Sequence, residues 1–333
     1  MATKKREEKS SYNAASEMAA QQGLEIQRQV ERADKMVQPS EMGPMQAGSR
    51  IYPAAFAKQH QAKPGIESEL NPAPMYEAPD YRGSAKLKDR VAIITGGDSG
   101  IGRSVAVLYA REGADVVIVY LNEHQDAEIT KRAVEAEGRR CLVISGDVAN
   151  ARFCEDVVQQ TIEEFGALDI LVNNAAFQEH VTNFEDLTEE HFDRTIKTNL
   201  YGYFYMAKAA VPYMENGSAI VMTGSITGLI GNKHLIDYSM TKGGIHAFTR
   251  ALSANLIDKG IRVNAIAPGP VWTPLNPADA AEDKVAKFGS KTAMRRAAQP
   301  EEIAPAFVFM AAPCCSSYIT GEVLPIIGGY LGG

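Results

Sequence analysis

From residue 87 onward, short apolar runs alternate with amphipathic stretches, and each run is apolar at consecutive rather than alternate positions. Val91–Thr95, Val116–Tyr120, Cys141–Ser145, Ile170–Asn173, Ala219–Thr223, Ile261–Ala267 and Val323–Ile327 read as strands. Ile101–Glu112, Gln125–Glu137, Ala151–Phe165, Glu189–Met214, Tyr238–Lys259 and Pro300–Ala312 carry helical spacing. Strands apolar on both faces and separated by helices predict a parallel sheet covered on both sides. The expected fold is therefore α/β: one doubly wound, Rossmann-type sheet of about seven strands over residues 87–333, with no internal repeat and no second domain. Such sheets bind ligands at the carboxyl ends of the strands, where the winding reverses.

The pattern before residue 87 is different. Residues 1–50 are polar; 16–36 have helical potential, but Met18, Leu24, Ile26 and Val30 make only a thin apolar stripe, so a mobile arm is expected. Residues 51–86 hold Tyr52, Phe56, Pro64, Pro72, Pro74, Tyr76, Pro79 and Tyr81. Prolines block a helix and spaced aromatics adhere to a surface, so this part reads as an extended strap laid on its own subunit or a neighbour.

Composition narrows the function. The 333 residues are 45% hydrophobic and 23% charged, enough apolar matter for a full core. A net charge of −7 disfavours a nucleic-acid backbone as partner. The four cysteines form no Cys-x-x-Cys pair, which argues against a thiolate zinc site and for a reducing compartment. No apolar run reaches the roughly 18–20 residues of a membrane span. The basic start is followed by Glu7 and Glu8 rather than an apolar core, so no leader is read and the cytoplasm is expected.

Two stretches carry chemistry. Thr95-Gly96-Gly97-Asp98-Ser99-Gly100-Ile101-Gly102 lies between a strand and a helix. A helix N-terminus offers free N–H groups and partial positive charge to a pyrophosphate, and glycines let it approach. Tyr238 and Lys242 stand four apart, one helical turn up the same face. Free tyrosine has a pKa of roughly 10, and a neighbouring cation favours the phenolate, so the lysine is expected to lower it. Ser225 ends a strand thirteen residues upstream, placed to hold a carbonyl oxygen.

Taken together, these parts resemble the short-chain dehydrogenase/reductase family over Leu87 to about Gly329. Beyond the loop, Asp147-Val148 matches the family's adenine contact, though capping a helix is the commoner use of such an aspartate. Asn173-Asn174-Ala175-Ala176 matches its Asn-Asn-Ala-Gly motif, with alanine in the last place. Asn199, Ser225, Tyr238 and Lys242 match its catalytic positions, and Pro268-Gly269-Pro270-Val271-Trp272-Thr273 its nicotinamide segment. The resemblance implies a kinked backbone at Asn199 that holds a water; a solvent-facing asparagine is the alternative. It implies hydride transfer between a nicotinamide and a carbonyl or alcohol, with Tyr238 as general acid or base, Ser225 holding the oxygen and no metal. Gly96, Asp98, Ser99, Gly100, Ile101, Gly102, Tyr120, Asn122, Asp147, Val148, Asn174, Ala175, Tyr238, Lys242, Pro268, Gly269, Val271 and Thr273 would hold the cofactor.

The second strand closes on Asn122, with no carboxylate before Glu123, which removes the usual barrier to a 2′-phosphate. NADP is favoured and NAD left open; Arg103 is either a phosphate contact or a helix-surface residue. Substrate walls are expected at 177–181, 226–236 and 272–291, with Gln178, His180, Asn232, Lys233 and His234 as polar candidates. The strap residues Gln59–Gln61, Pro64–Glu67 and Asn71-Pro72 resemble the branch that holds glucose/ribitol dehydrogenase-like proteins and bacterial aldehyde reductases. That branch implies aldehydes, sugars or polyols. The family implies a homotetramer built on the helices of Asn199 and Tyr238, with Gly202, Ala207, Ala209, Gly243 and Gly244 at the contact. A reading from another class is a cofactor-binding scaffold or stress-associated interaction protein that works through residues 1–86.

Overall fold

The computed structural model describes residues 17–33 and 43–329. It divides into two units, Met1–Gly43 and Pro44–Gly333. In the first, residues 17–33 form helix α1, with every side chain exposed. The ends of the expected 16–36 helix, the N-terminal leader reading and residues 330–333 lie outside the described residues.

The second unit holds strands β1 (Val91–Thr95), β2 (Asp115–Tyr120), β3 (Cys141–Ser145), β4 (Ile170–Asn173), β5 (Ala219–Thr223), β6 (Arg262–Pro268) and β7 (Val323–Ile326). They form one parallel sheet in the order β3-β2-β1-β4-β5-β6-β7. The helices between them are α2 (Gly100–Arg111), α3 (His124–Ala136), α4 (Ala151–Phe165), α5 (Glu189–Ile196), α6 (Gly202–Ala210), α7 (Thr227–Ile230), α8 (Ile236–Leu256), α9 (Glu282–Val285), α10 (Pro300–Ala311) and α11 (Pro313–Ser316). Every residue of β1, β2, β4, β5 and β6 is buried, as consecutive apolar residues require. The edge strands β3 and β7 are only partly buried, and Pro325 sits in β7, where a missing N–H costs no ladder bond toward a further strand. Among the described residues, no helix is long and apolar enough to cross a membrane.

The long helix expected over Glu189–Met214 is interrupted. Between α5 and α6, Lys197–Tyr201 forms a π-turn. Asn199 lies inside it and is fully buried, so the kink is present and the solvent-facing alternative is not.

The strap lies on its own chain and runs the length of α2. Glu67 meets the helix start: Gly100 donates its N–H to the carboxylate at 2.5 Å. Midway, Ser104 donates to the Tyr76 carbonyl at 2.8 Å. Beyond the end, buried Glu112 accepts from the Ser84 and Lys86 N–H groups, both at 2.9 Å, and from the Tyr81 hydroxyl. Further upstream, Phe56 stacks on Trp272 with ring centroids 3.8 Å apart. Pro44–Arg50 already pack here, with Arg296 donating to the Met45 carbonyl and Arg50 paired with Glu301.

Candidate active site

A cleft of about 720 Å³ opens at the carboxyl ends of the strands. Seventeen of the eighteen expected cofactor positions line it, all but Gly102, and of the four expected catalytic residues Ser225, Tyr238 and Lys242 do and Asn199 does not. Its base is the winding reversal between β1 and β4. Asn174 donates its backbone N–H to the Thr95 hydroxyl at 2.8 Å and its side-chain amide to the Thr95 and Gly96 carbonyls at 3.1 and 3.0 Å. Thr223, ending β5, donates to the Asn174 side-chain oxygen at 3.1 Å. Three strand ends are thus tied through one asparagine.

The glycine loop fits a phosphate-binding turn. Gly96 and Gly100 have φ of +61° and +52°, the left-handed region that favours glycine. Gly102 works behind the loop: a Cβ there would lie 1.9 Å from the Gly96 carbonyl oxygen. Gly102→Ala is expected to displace the turn and weaken NADPH binding by about tenfold or more, read by nucleotide fluorescence titration.

Tyr238, Lys242 and His246 occupy successive turns of one face of α8, all buried. The Lys242 Nζ donates to the Thr223 carbonyl at 2.7 Å and the Tyr203 hydroxyl at 3.3 Å. It lies 5.3 Å from the centroid of the Tyr238 ring. Burial holds Lys242 down to about 7. Burial also pushes Tyr238 above the ordinary phenol value; the Ser225 hydrogen bond pulls the other way and the Asp279 charge adds to the rise. The expectation that Lys242 lowers this tyrosine is thereby corrected: desolvation of a buried phenolate outweighs the neighbouring amine. The Ser225 hydroxyl accepts from the Thr227 hydroxyl at 3.0 Å and its N–H at 3.1 Å, which leaves its own proton for a guest or for Tyr238. His246 escaped the sequence reading. Burial and the Lys242 charge hold it down to about 4, so it is a neutral prop behind the Ser225 loop.

Asn199 acts one layer back. Its side chain pairs with the Phe177 backbone in both directions, at 2.8 and 2.9 Å, and donates to Thr241 at 3.1 Å. It therefore pins a cleft wall to the Tyr238 helix.

At the other end, Asp98, Asn122 and Glu123 line the cleft, and Glu123 accepts the Asn122 N–H at 2.9 Å. Burial and then the Glu123 charge push the Asp98 carboxyl up to about 7. Arg103 meets neither expectation. Its side chain is 3% exposed and is bound to Glu67 at 2.6 Å, Asp126 at 3.3 Å and the Asp98 carbonyl at 2.7 Å. It does not line the cleft, and it is not a surface residue. Asp147 lines the cleft, but its carboxylate already accepts from the Ala149 N–H at 2.9 Å and from Arg194 at 2.8 Å.

Of the three stretches expected as substrate walls, Phe177, Gln178 and His180, then Ile226, Thr227, Asn232 and Leu235, then 273–276 and Phe288 line the cleft, whereas Lys233, Leu229 and Ile230 face solvent. His234 turns to the Val181 carbonyl. Trp272 is fully buried beneath the strap and is no wall. Asp279 gathers the polar wall: it accepts from Gln178 at 2.5 Å, from the His180 N–H at 2.6 Å and from the His180 ring. Burial alone would raise its carboxyl, but the His180 and Gln178 bonds and the Lys63 charge hold it below the usual range. Lys63, Pro64 and Gly65 also line the cleft, and nothing local in the strap announced them. The small residues expected between subunits mostly serve the chain itself: a Cβ on Gly202 would lie 2.8 Å from Val148, and one on Gly244 3.2 Å from Leu200. Ala207 is core.

The comparisons agree with this geometry. A family model described as Enoyl-(Acyl carrier protein) reductase matches residues 96–331. The chain is 53% identical over 279 residues to General stress protein 39 of Bacillus subtilis (strain 168), covering 84% of this chain and 97% of that one. It is 44% identical over 291 residues to Glucose and ribitol dehydrogenase of Daucus carota, covering 86% and 98%. A solved short chain dehydrogenase from Burkholderia cenocepacia J2315, in complex with NADP, superposes with a TM-score of 0.69 at 32% identity, over 73% of this chain and 98% of that one. With its sheet order, its glycine turn and these likenesses, the chain belongs to the short-chain dehydrogenase/reductase family of nicotinamide-dependent oxidoreductases.

Proposed function

We propose that the protein interconverts a carbonyl and an alcohol, on an aldehyde, ketone, sugar or polyol, using NADP(H), with NAD(H) as the second cofactor. The observation that carries this reading is the meeting of Ser225, Tyr238 and Lys242 in the cleft that also contains the glycine turn. The matching family model is described as an enoyl reductase. Three residues between tyrosine and lysine favour C=O over C=C chemistry, and the carrot relative is named for sugar and polyol dehydrogenation.

A bound nicotinamide supplies or accepts the hydride. Ser99 and Ile101 of the turn would hold its pyrophosphate, since Glu67 takes the Gly100 N–H. Ser225 holds the carbonyl oxygen, and Tyr238 gives its phenolic proton to the nascent alkoxide. The Lys242 ammonium, 5.3 Å from the centre of that ring, is the proton source behind it. Because burial raises the Tyr238 pKa, the phenol stays protonated at neutral pH, the form reduction needs. Oxidation needs the phenolate, so the alcohol-oxidising rate is expected to climb about tenfold per pH unit through the neutral range while carbonyl reduction does not. Paired pH–rate profiles check this; an oxidative limb flat with pH counts against Tyr238 as base.

The NADP complex of the Burkholderia relative supports NADP use. Asp98 and Glu123 oppose a 2′-phosphate, so both cofactors belong in the assay. The deciding experiment is a spectrophotometric panel of aldehydes, ketones, sugars and polyols with NADPH and NADH. Exposed Tyr201, Phe204, Tyr213 and Met240 support a tetramer contact on these helices, and a reducing cytoplasm suits the four free thiols. The interaction-protein reading gains from the bacterial stress-protein relative. Deleting residues 1–43, the separate unit, separates the two. A lost partner with untouched catalysis favours the interaction role.

A further inference from the structure

The strap reaches the cleft at one side chain whose bonds all go to the substrate walls. The Lys63 Nζ donates to the Gln178 carbonyl at 2.6 Å and the Ala278 carbonyl at 3.1 Å, and pairs with the Glu179 carboxylate at 2.9 Å. It stands 5.4 Å from the centroid of the Phe177 ring. Gln178 and Ala278 lie 115 and 215 residues further along the chain, in two segments that Asp279 also joins through Gln178 and His180. An ammonium has three protons, and here three acceptors take them, so it has none to offer a substrate.

The neighbouring strap residues follow the same wall. Gln61 donates its N–H to the Pro277 carbonyl at 3.0 Å. Gly65 has φ +91°, and a Cβ there would lie 2.8 Å from the Pro274 oxygen, so the strap can approach this closely only as glycine. The 177–181 segment is fixed from behind, where Asn199 holds Phe177. A continuous set of contacts thus runs from the Tyr238 helix through Phe177 to the strap and on to the 274–280 wall.

We propose that Lys63 is a positioning residue that holds the strap against the 177–181 and 274–280 segments and so, beside the Asp279 joint, fixes the shape of the substrate end of the cleft. This builds on the carbonyl/alcohol reading above and adds the strap to the machinery of specificity. Removing the ammonium leaves the chemistry of Ser225, Tyr238 and Lys242 in place but loosens both segments, which Asp279 alone then joins. Substrate binding should suffer and the chemical step should not.

The test is Lys63→Met, which keeps the stem and removes the donors. Expected is a KM about tenfold higher for the best carbonyl, with kcat and NADPH affinity within about twofold of wild type. Amide hydrogen exchange should quicken in both 177–181 and 274–280 and not across 238–246. An unchanged KM in a folded variant overturns the proposal. So does a joint fall of kcat, cofactor affinity and melting temperature, which would mark a general structural role. Should that variant not fold, Glu179→Gln, which weakens one of the three bonds, is expected to raise KM by about threefold, and no rise overturns the proposal. A wild-type protein that turns over nothing in the panel defeats the carbonyl reading alone. Exchange then decides for Lys63, and equal rates in both walls of the variant and wild type would dismiss it.

Discussion

Tyr238→Phe is expected to lower kcat for any productive carbonyl by about 10²–10⁴-fold while the NADPH dissociation constant stays within about twofold. The substitution removes one oxygen and keeps the ring, whose body packs over the Lys242 amine. Lys242 does not depend on that oxygen for its place, because its bonds go to Thr223 and Tyr203. The glycine turn and the Asn174 tie are on other elements. The loss should therefore appear in the proton transfer, and single-turnover absorbance at saturating cofactor isolates that step. Ser225→Ala should cost less, since it withdraws a hydrogen bond to the oxygen but leaves the proton donor. A Tyr238→Phe enzyme with wild-type rates would remove the phenol from the mechanism.

The sheet was readable because parallel core strands are apolar at every position. β1, β3, β4 and β5 fall on the expected residues, β2 and β7 differ by one residue at one end, and β6 is shifted by one residue at both. The π-turn was not readable from periodicity, since one extra residue in a turn leaves the spacing of apolar positions on either side almost unchanged. Only the resemblance suggested a kink. The site residues were legible as types at spacings, but their energetics were not. Sequence shows that a lysine stands near a tyrosine; it does not show how completely both are buried, and burial governs Tyr238 and Lys242 alike. Glu67, Lys63 and Asp279 were missed for a related reason. Each acts through partners tens to hundreds of residues away, and an isolated Lys-Pro-Gly or a single glutamate in a proline-rich strap has no local periodicity to mark it.

Arg103→Met is expected to destabilise the fold by about 3–5 kcal/mol, because it strips the counter-charge from two buried carboxylates rather than a ligand from the cleft. The guanidinium bonds Glu67 and Asp126, and the Tyr76 ring lies 5.1 Å away. Burial already pushes Glu67 up to about 7 even with Arg103 pulling it down, and Asp126 adds to the rise. Without Arg103 the value must go higher. A carboxyl whose folded value exceeds its unfolded one favours the fold at acid pH, and that contribution fades as pH rises through the folded value. The deficit should therefore be smaller near about pH 5 than near about pH 8 in denaturant titrations. Adding Glu67→Gln should recover part of it by neutralising the stranded carboxylate, and should flatten the pH dependence. NADPH and NADH affinities should change by the same factor. A variant of unchanged stability that loses NADPH affinity alone would instead make Arg103 a reader of the 2′-phosphate, which its burial and its ion pairs with Glu67 and Asp126 oppose.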